Sequence, residues 1–160
     1  MDREEWLALA KERFAFDSWP SLGTAVLARR VRGFALDPTP LGGTWRLEKR
    51  EAPGDHQYTD YFELAENPAC RAMVDVNECV TAADARLALL ELLSQSMART
   101  LPRLEDGSVG EIAFTVHGEL LRRIAFARYN VLIDARSIGD EPVSIEPLAI
   151  LVDRQIQAQQ

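Results

Sequence analysis

From Thr44 onward, apolar residues recur at every second position in short runs, and three such runs are twice followed by a helical pattern. A period of two sends alternate side chains to opposite faces of a strand, so each run reads as a strand with one face toward a core. In the first set, Trp45 and Leu47 alternate with Thr44, Arg46 and Glu48. Tyr58 to Ala65 returns across the turn EAPGDHQ, with Phe62 and Leu64 on one face. After a break at ENPA, the stretch ACRAMVDVNEC puts Cys70, Ala72, Val74 and Val76 on one face and Arg71, Asp75, Asn77 and Cys79 on the other. A helix follows. Thr81 caps it, Asp84 three residues later approximates a capping box, and Ala85, Leu89, Leu92 and Leu93 form its apolar stripe. Pro102 prevents its continuation.

The second half repeats that order. EIAFTVH alternates Ile112, Phe114 and Val116 against Glu111, Thr115 and His117. RRIAFAR and VLIDAR are two further strands joined at Tyr129–Asn130, where Asn is expected to take a left-handed backbone. Ser144 is expected to cap a last helix that accepts Pro147 in its first turn and lines up Ile145, Leu148, Ala149, Val152 and Ile156. Before Thr44, Asp2 to Phe14 reads as an amphipathic helix. Ser21 to Arg32 reads as a second helix ending at Gly33, with a strand as the alternative, and LDPTPLGG reads as a loop.

These patterns predict an α+β fold: one domain over 1–160, with an antiparallel sheet whose helices pack against one face. A helical segment at 1–33 precedes two βββα units, 44–98 and 109–158. MVDV and LIDA stand in equivalent places in the two units, which predicts an internal duplication.

Acidic residues exceed basic ones, 25 against 18, for a formal net charge of −7. That balance argues against nucleic acid and anionic membrane as partners, since both require a positive field. The arginine clusters Arg29–Arg30–Arg32 and Arg122–Arg123 do not reverse it, and GTAVLARR lacks the second glycine and the lysine of a phosphate-binding loop. The acidic start MDREEW is unlike a secretory signal, and no stretch approaches the ~20 apolar residues of a membrane span. A soluble cytoplasmic protein is expected.

Chemistry is sparse. Cys70 and Cys79 are nine positions apart. On a strand that is ~30 Å, far beyond disulfide reach, and the odd spacing puts them on opposite faces. Cys70 is expected to be a buried thiol. Cys79, beside the cap of the following helix, is expected to be the more reactive one. His56 and His117 have no Cys or His at ligand spacing, so no metal and no cofactor are expected. His117 is the better base candidate, facing the same side as Thr115. Asp75 and Asp134 each follow two apolar residues near the end of a strand and point away from the core; related by pseudo-symmetry, they would form a carboxylate pair. Their ordinary use is as solvated residues or in salt bridges to Arg71 and Arg136.

The function these features predict is a non-enzymatic acidic domain of inhibitor or immunity type that binds another protein, either a basic one or a second copy of itself. Trp6, Leu7, Leu9, Phe14 and Phe16 give the first helix more apolar surface than one stripe needs, which would suit a homo-oligomer. The alternative is a small-molecule binding fold, an enzyme among its forms. Its cavity between sheet and helices would be lined by Trp45, Tyr58, Tyr61, Phe62 and Phe114, with Asp75, Asp134 and His117 as candidate binding residues.

Overall fold

The computed structural model describes residues 1–20, 36–96, 101–105, 109–116 and 118–159. The expected helix at Ser21–Arg32 with its Gly33 end, the Arg29–Arg30–Arg32 cluster and His117 lie outside the described residues. The remaining elements are α1 (Arg3–Arg13), β1 (Trp45–Gly54), β2 (Gln57–Leu64), β3 (Asn67–Glu78), α2 (Ala82–Gln95), β4 (Ile112–Thr115), β5 (Arg123–Arg128), β6 (Val131–Ser137) and α3 (Glu146–Ala158). The fold is α+β. Six strands form one antiparallel sheet in the order β1-β2-β3-β6-β5-β4.

Local chemistry explains most boundaries. Two helices open on reciprocal capping boxes, Asp2 with Glu5 and Thr81 with Asp84, each satisfying two backbone N–H groups that have no partner inside the helix. α3 starts one residue later than the Ser144 cap implies. The Ser144 hydroxyl accepts from the Glu146 N–H at 3.4 Å, and Pro147 sits in the first turn, where its missing N–H costs nothing. The β5–β6 turn departs from expectation. Tyr129, not Asn130, has the positive φ of 53°. Asn130 is fully buried, and its side-chain amide donates to the Cys79 carbonyl at 2.7 Å while its own carbonyl accepts from the Cys79 N–H at 2.7 Å. The Asn is there to tie the hairpin to the start of α2.

The helices do not share one face, which corrects the sequence-based expectation. On β5, Ile124 and Phe126 join Phe62, Val74, Ile133, Leu148 and Val152 in a core beneath α3. The intervening Ala125 and Ala127 join Leu89, Leu93, Phe14 and Trp19 in a second core beneath α2 and α1. Residues of opposite parity on one strand point to opposite faces, so α2 and α3 lie on opposite sides of the sheet. β4, β5 and the start of β6 are therefore covered on both faces. The nearly unbroken apolar runs IAF, RIAFA and VLI are the signature of strands buried on both sides.

The palindromic strand order is what two βββ units related by a two-fold axis would give, but that axis would have to stand normal to the sheet between antiparallel β3 and β6. It would place both helices on one face. Their opposite placement breaks the symmetry that a simple duplication predicts.

Two details fix the sheet. A register shift after Leu47 places Arg50, not Lys49, opposite Asp60, where its guanidinium grips the fully buried carboxylate at 2.5 and 2.6 Å. Burial pushes the Asp60 carboxyl above its ordinary range despite the opposing pull of Arg50. A planar fork can satisfy both carboxylate oxygens there, as a lysine could not. Beyond β6, the loop is stitched to β3 by Ile138 N–H to Arg71 O at 2.9 Å and Glu141 N–H to Ala69 O at 3.1 Å. Gly139 lies in that seam, where a Cβ would fall 2.1 Å from the Ala69 carbonyl oxygen.

The face assignment of β3 is tested by a pair of adjacent substitutions. Val74 is fully buried under α3 and Asp75 is half-buried on the opposite face. Val74→Asp is expected to cost on the order of 4 kcal/mol or to prevent folding, because it buries an unpaired charge. Asp75→Ala removes one part-exposed ion pair and should cost about 1 kcal/mol. Urea unfolding of both variants checks the order, and the reverse order would mean that β3 is one residue out of register.

Candidate functional site

α2 lies over β5 and β6, and among the described residues no helix covers the same face of β1, β2 and β3. The register reads out two adjacent rows on that face. One runs Thr59–Asp75–Asp134–Ala125, the other Lys49–Tyr61–Met73–Arg136–Arg123. Asp75 and Asp134, paired by sequence reasoning as possible symmetry mates, stand directly opposite one another on the central strands.

These rows meet α2 in an open cleft of about 530 Å³ lined by Asp75, Asp134, Arg123, Arg136, Leu92, Gln95 and Ser96. Arg123 is committed to this site. Its Nε and Nη2 donate to the two Asp134 carboxylate oxygens at 3.0 and 3.1 Å, and its Nη1 donates to the Ser96 hydroxyl at 3.1 Å. Arg136 is held less firmly: Nη2 donates to Asp75 at 3.2 Å, while Nε stands 3.5 Å from Asp134. The Thr59 hydroxyl donates to the other Asp75 oxygen. The salt bridge to Arg136 is thus realised, whereas Arg71 turns to Glu48 at 2.6 Å and holds that carboxyl below its ordinary range.

Outward from the cleft the face continues as ion pairs around Tyr61, Arg46 with Glu63 across β1 and β2 and Lys49 with Glu51 along β1. The Lys49 ammonium lies 4.7 Å above the Tyr61 ring, and the Tyr61 hydroxyl donates to Glu51 at 3.3 Å. Opposite charges facing each other across strands stabilise the sheet modestly and leave the face close to neutral.

Of the residues singled out from the sequence, Asp75 and Asp134 come together in this cleft, and Tyr61 lies on the adjoining sheet. Tyr58 and Phe62 are buried in the core beneath α3. Trp45 belongs to that core and borders a shallow surface depression beside Gly42 and Gly43. Phe114 belongs to the other core, 5.9 Å from Phe14 and 5.3 Å from Trp19 in ring centroids. The five aromatics thus occupy different sides of the sheet and line no common space. On α1 Leu7 packs against the α2-side core and Leu9 is exposed, while Phe14 just past its end is buried in that core and Phe16 packs against it.

Ser96, Gln95 and Thr59 escaped sequence reasoning, and Arg123 entered it only within the Arg122–Arg123 cluster. Arg136 could be placed on the face of Asp134 from its spacing of two, but the others reach the cleft through strand and helix packing, which no local pattern encodes. Among the described residues no cluster of three or more His, Cys, Asp or Glu side chains could hold a metal, and no helix is long and apolar enough to cross a membrane. Compared with known proteins, the chain matches no family model, no curated protein and no solved structure.

The cysteines bear on surface chemistry. Both are free, Cys70 buried and Cys79 half-buried. Burial, reinforced by the nearby Asp84 and Glu78 carboxylates, pushes the Cys79 thiol above its ordinary range, contrary to the expected activation by the helix N-terminus. A raised pKa means less thiolate at a given pH. Iodoacetamide should therefore modify Cys79 slowly near neutrality and about tenfold faster per pH unit while the thiol remains mostly protonated, with Cys70 reacting only on unfolding. Mass spectrometry of timed samples checks this. Rapid Cys79 labelling at pH 7 would contradict the placement.

Proposed function

We propose that this chain is a non-enzymatic binding domain that docks a basic protein on the part of its sheet that no helix covers among the described residues, with the cleft beside α2 as the centre of the contact. The observation that carries this reading is the carboxylate pair itself. Asp75 and Asp134 are set side by side by the β3–β6 register and lie at the floor of a cleft that is open to a partner. The chain's net charge of −7 supplies long-range attraction for a cationic surface, and the sheet supplies a rigid platform that needs no reordering on contact. Tyr61 and Met73 lie in the row next to the aspartates and provide an amphipathic shelf. Tyrosine is a frequent anchor in such interfaces because it buries much area at little entropic cost.

Affinity capture from lysate on the immobilised domain tests the reading. Proteins recovered at low salt should be predominantly basic and be released by about 0.5 M salt, where the Debye length falls to a few ångströms. Asp75→Asn should lower their recovery roughly tenfold. Glu4→Gln, which changes the net charge equally but lies on α1, should leave recovery nearly unchanged. Equal recovery by both variants would remove the cleft from the contact.

A further inference from the structure

We infer that a second copy of this chain pairs with β1, edge to edge and antiparallel, in a two-fold symmetric dimer whose sheet is continuous. The two ends of the sheet are treated differently. Along β4 runs the segment 101–105, whose Leu104 N–H donates to the Ala113 carbonyl at 2.8 Å and whose Pro102 carbonyl accepts from the Thr115 N–H at 3.0 Å. At the other end, β1 is ten residues long, with β2 on one side and, among the described residues, no strand on the other. An edge of that length is a template of backbone donors and acceptors for another strand.

The register shows which groups face outward. The Thr44 carbonyl accepts from the Ala65 N–H at 2.8 Å, and backbone direction alternates along a strand, so Trp45 and Leu47 turn their N–H and C=O groups to the open side. The same alternation along β2 turns Tyr61 and Thr59 toward β1. Their partners Lys49 and Glu51 therefore face inward, and Arg50 and Ala52 face outward. About a two-fold axis normal to the sheet, one antiparallel register engages all four outward residues: Trp45 meets Ala52 of the second copy and Leu47 meets Arg50. The intervening pairs are then Arg46 with Glu51 and Glu48 with Lys49, each acid against a base. A regular strand would set one residue opposite itself about that axis. The extra residue that the shift after Leu47 puts into β1 is what moves acids onto bases.

Charges and bulges ordinarily guard an edge, but guards of one sign repel in every register. Those of β1 have both signs and match in the register that also satisfies the backbone. Arg46, Lys49 and Glu51 are 59, 57 and 55% exposed, which leaves each room for a second counter-ion beside its own chain's. Arg50 is already neutralised by Asp60, so the contact is locally neutral. Repulsion between two chains of net charge −7 acts at longer range and is screened at ~0.15 M salt. The Asp75–Asp134 clefts lie on β3 and β6, away from the joined edges, so pairing and docking are independent.

Sedimentation velocity of the wild type, from about 10 µM to 1 mM, tests the inference. One strand edge buries little area, so the expected dissociation constant is on the order of 100 µM. Glu48→Lys and Lys49→Glu each set like charges opposite one another and should weaken self-association roughly tenfold. An equimolar mixture of the two variants should associate again, because acid meets base in the mixed pair; a merely structural effect would not be restored by mixing. Leu47→Pro removes an outward N–H that the β1–β2 ladder does not use and should weaken the dimer similarly. Thermal melts establish that each variant is folded, and a variant that is not leaves the test to the others. A wild type that stays monomeric at 1 mM, a dimer indifferent to all the folded variants, or a mixture of folded charge variants that fails to associate would overturn the inference.

Discussion

The antiparallel pairing of β3 with β6 is the constraint on which the rest of this molecule depends. It is the seam between the first three strands and the last three, and it sets Asp75 opposite Asp134 and Met73 opposite Arg136. One face of the seam, built from Ala72, Val74, Val76, Ile133 and Ala135, is sealed beneath α3. The other face carries the charges. Because side chains alternate with period two, the same register that buries the valines must present the aspartates, and a slip of one residue would exchange them.

α2 then divides the charged face into a covered half and a half that no helix covers among the described residues. Over β5 and β6 it packs on Ala125, Ala127 and Leu132, in one core with Phe14 and Trp19, whose rings lie against Phe114 of β4. Next to it the floor turns polar at Asp134 and Asp75, where further helical cover would bury charge. The cleft therefore marks the boundary between apolar and charged strand residues, and Arg123 bridges it by joining Asp134 to Ser96 at the end of the helix. Buried ion pairs elsewhere act as locks on geometry. Asp153 ties α3 to β5 through Arg128 at 2.7 and 2.9 Å and to the loop at Gly110 through its N–H at 3.0 Å.

The alternation in β3 was enough to assign its faces, to separate Cys70 from Cys79, and to single out Asp75 and Asp134 as candidates. The Thr81 box was equally plain. What local pattern could not supply was cover on a second face. IAF and VLI read equally well as one-sided strands until α2 is seen lying on Ala125 and Ala127. Nor could it supply Asp60, a carboxylate on the core side of β2 that is tolerable only because the bulge after Leu47 brings Arg50 to it. Cross-strand partners depend on register, and register is a property of the assembled sheet. Asp75, Asp134 and Arg136 were legible from alternation along single strands, and the parts played in the cleft by Arg123, Ser96 and Thr59 were not.

Cross-strand nuclear Overhauser contacts along β3 and β6 test the central claim most directly. The account predicts contacts linking Asp75 with Asp134, Met73 with Arg136 and Asn77 with Leu132. Contacts pairing Val74 with Asp134 instead would shift the register by one, send the carboxylates to opposite faces and contradict both the seam and the site built on it.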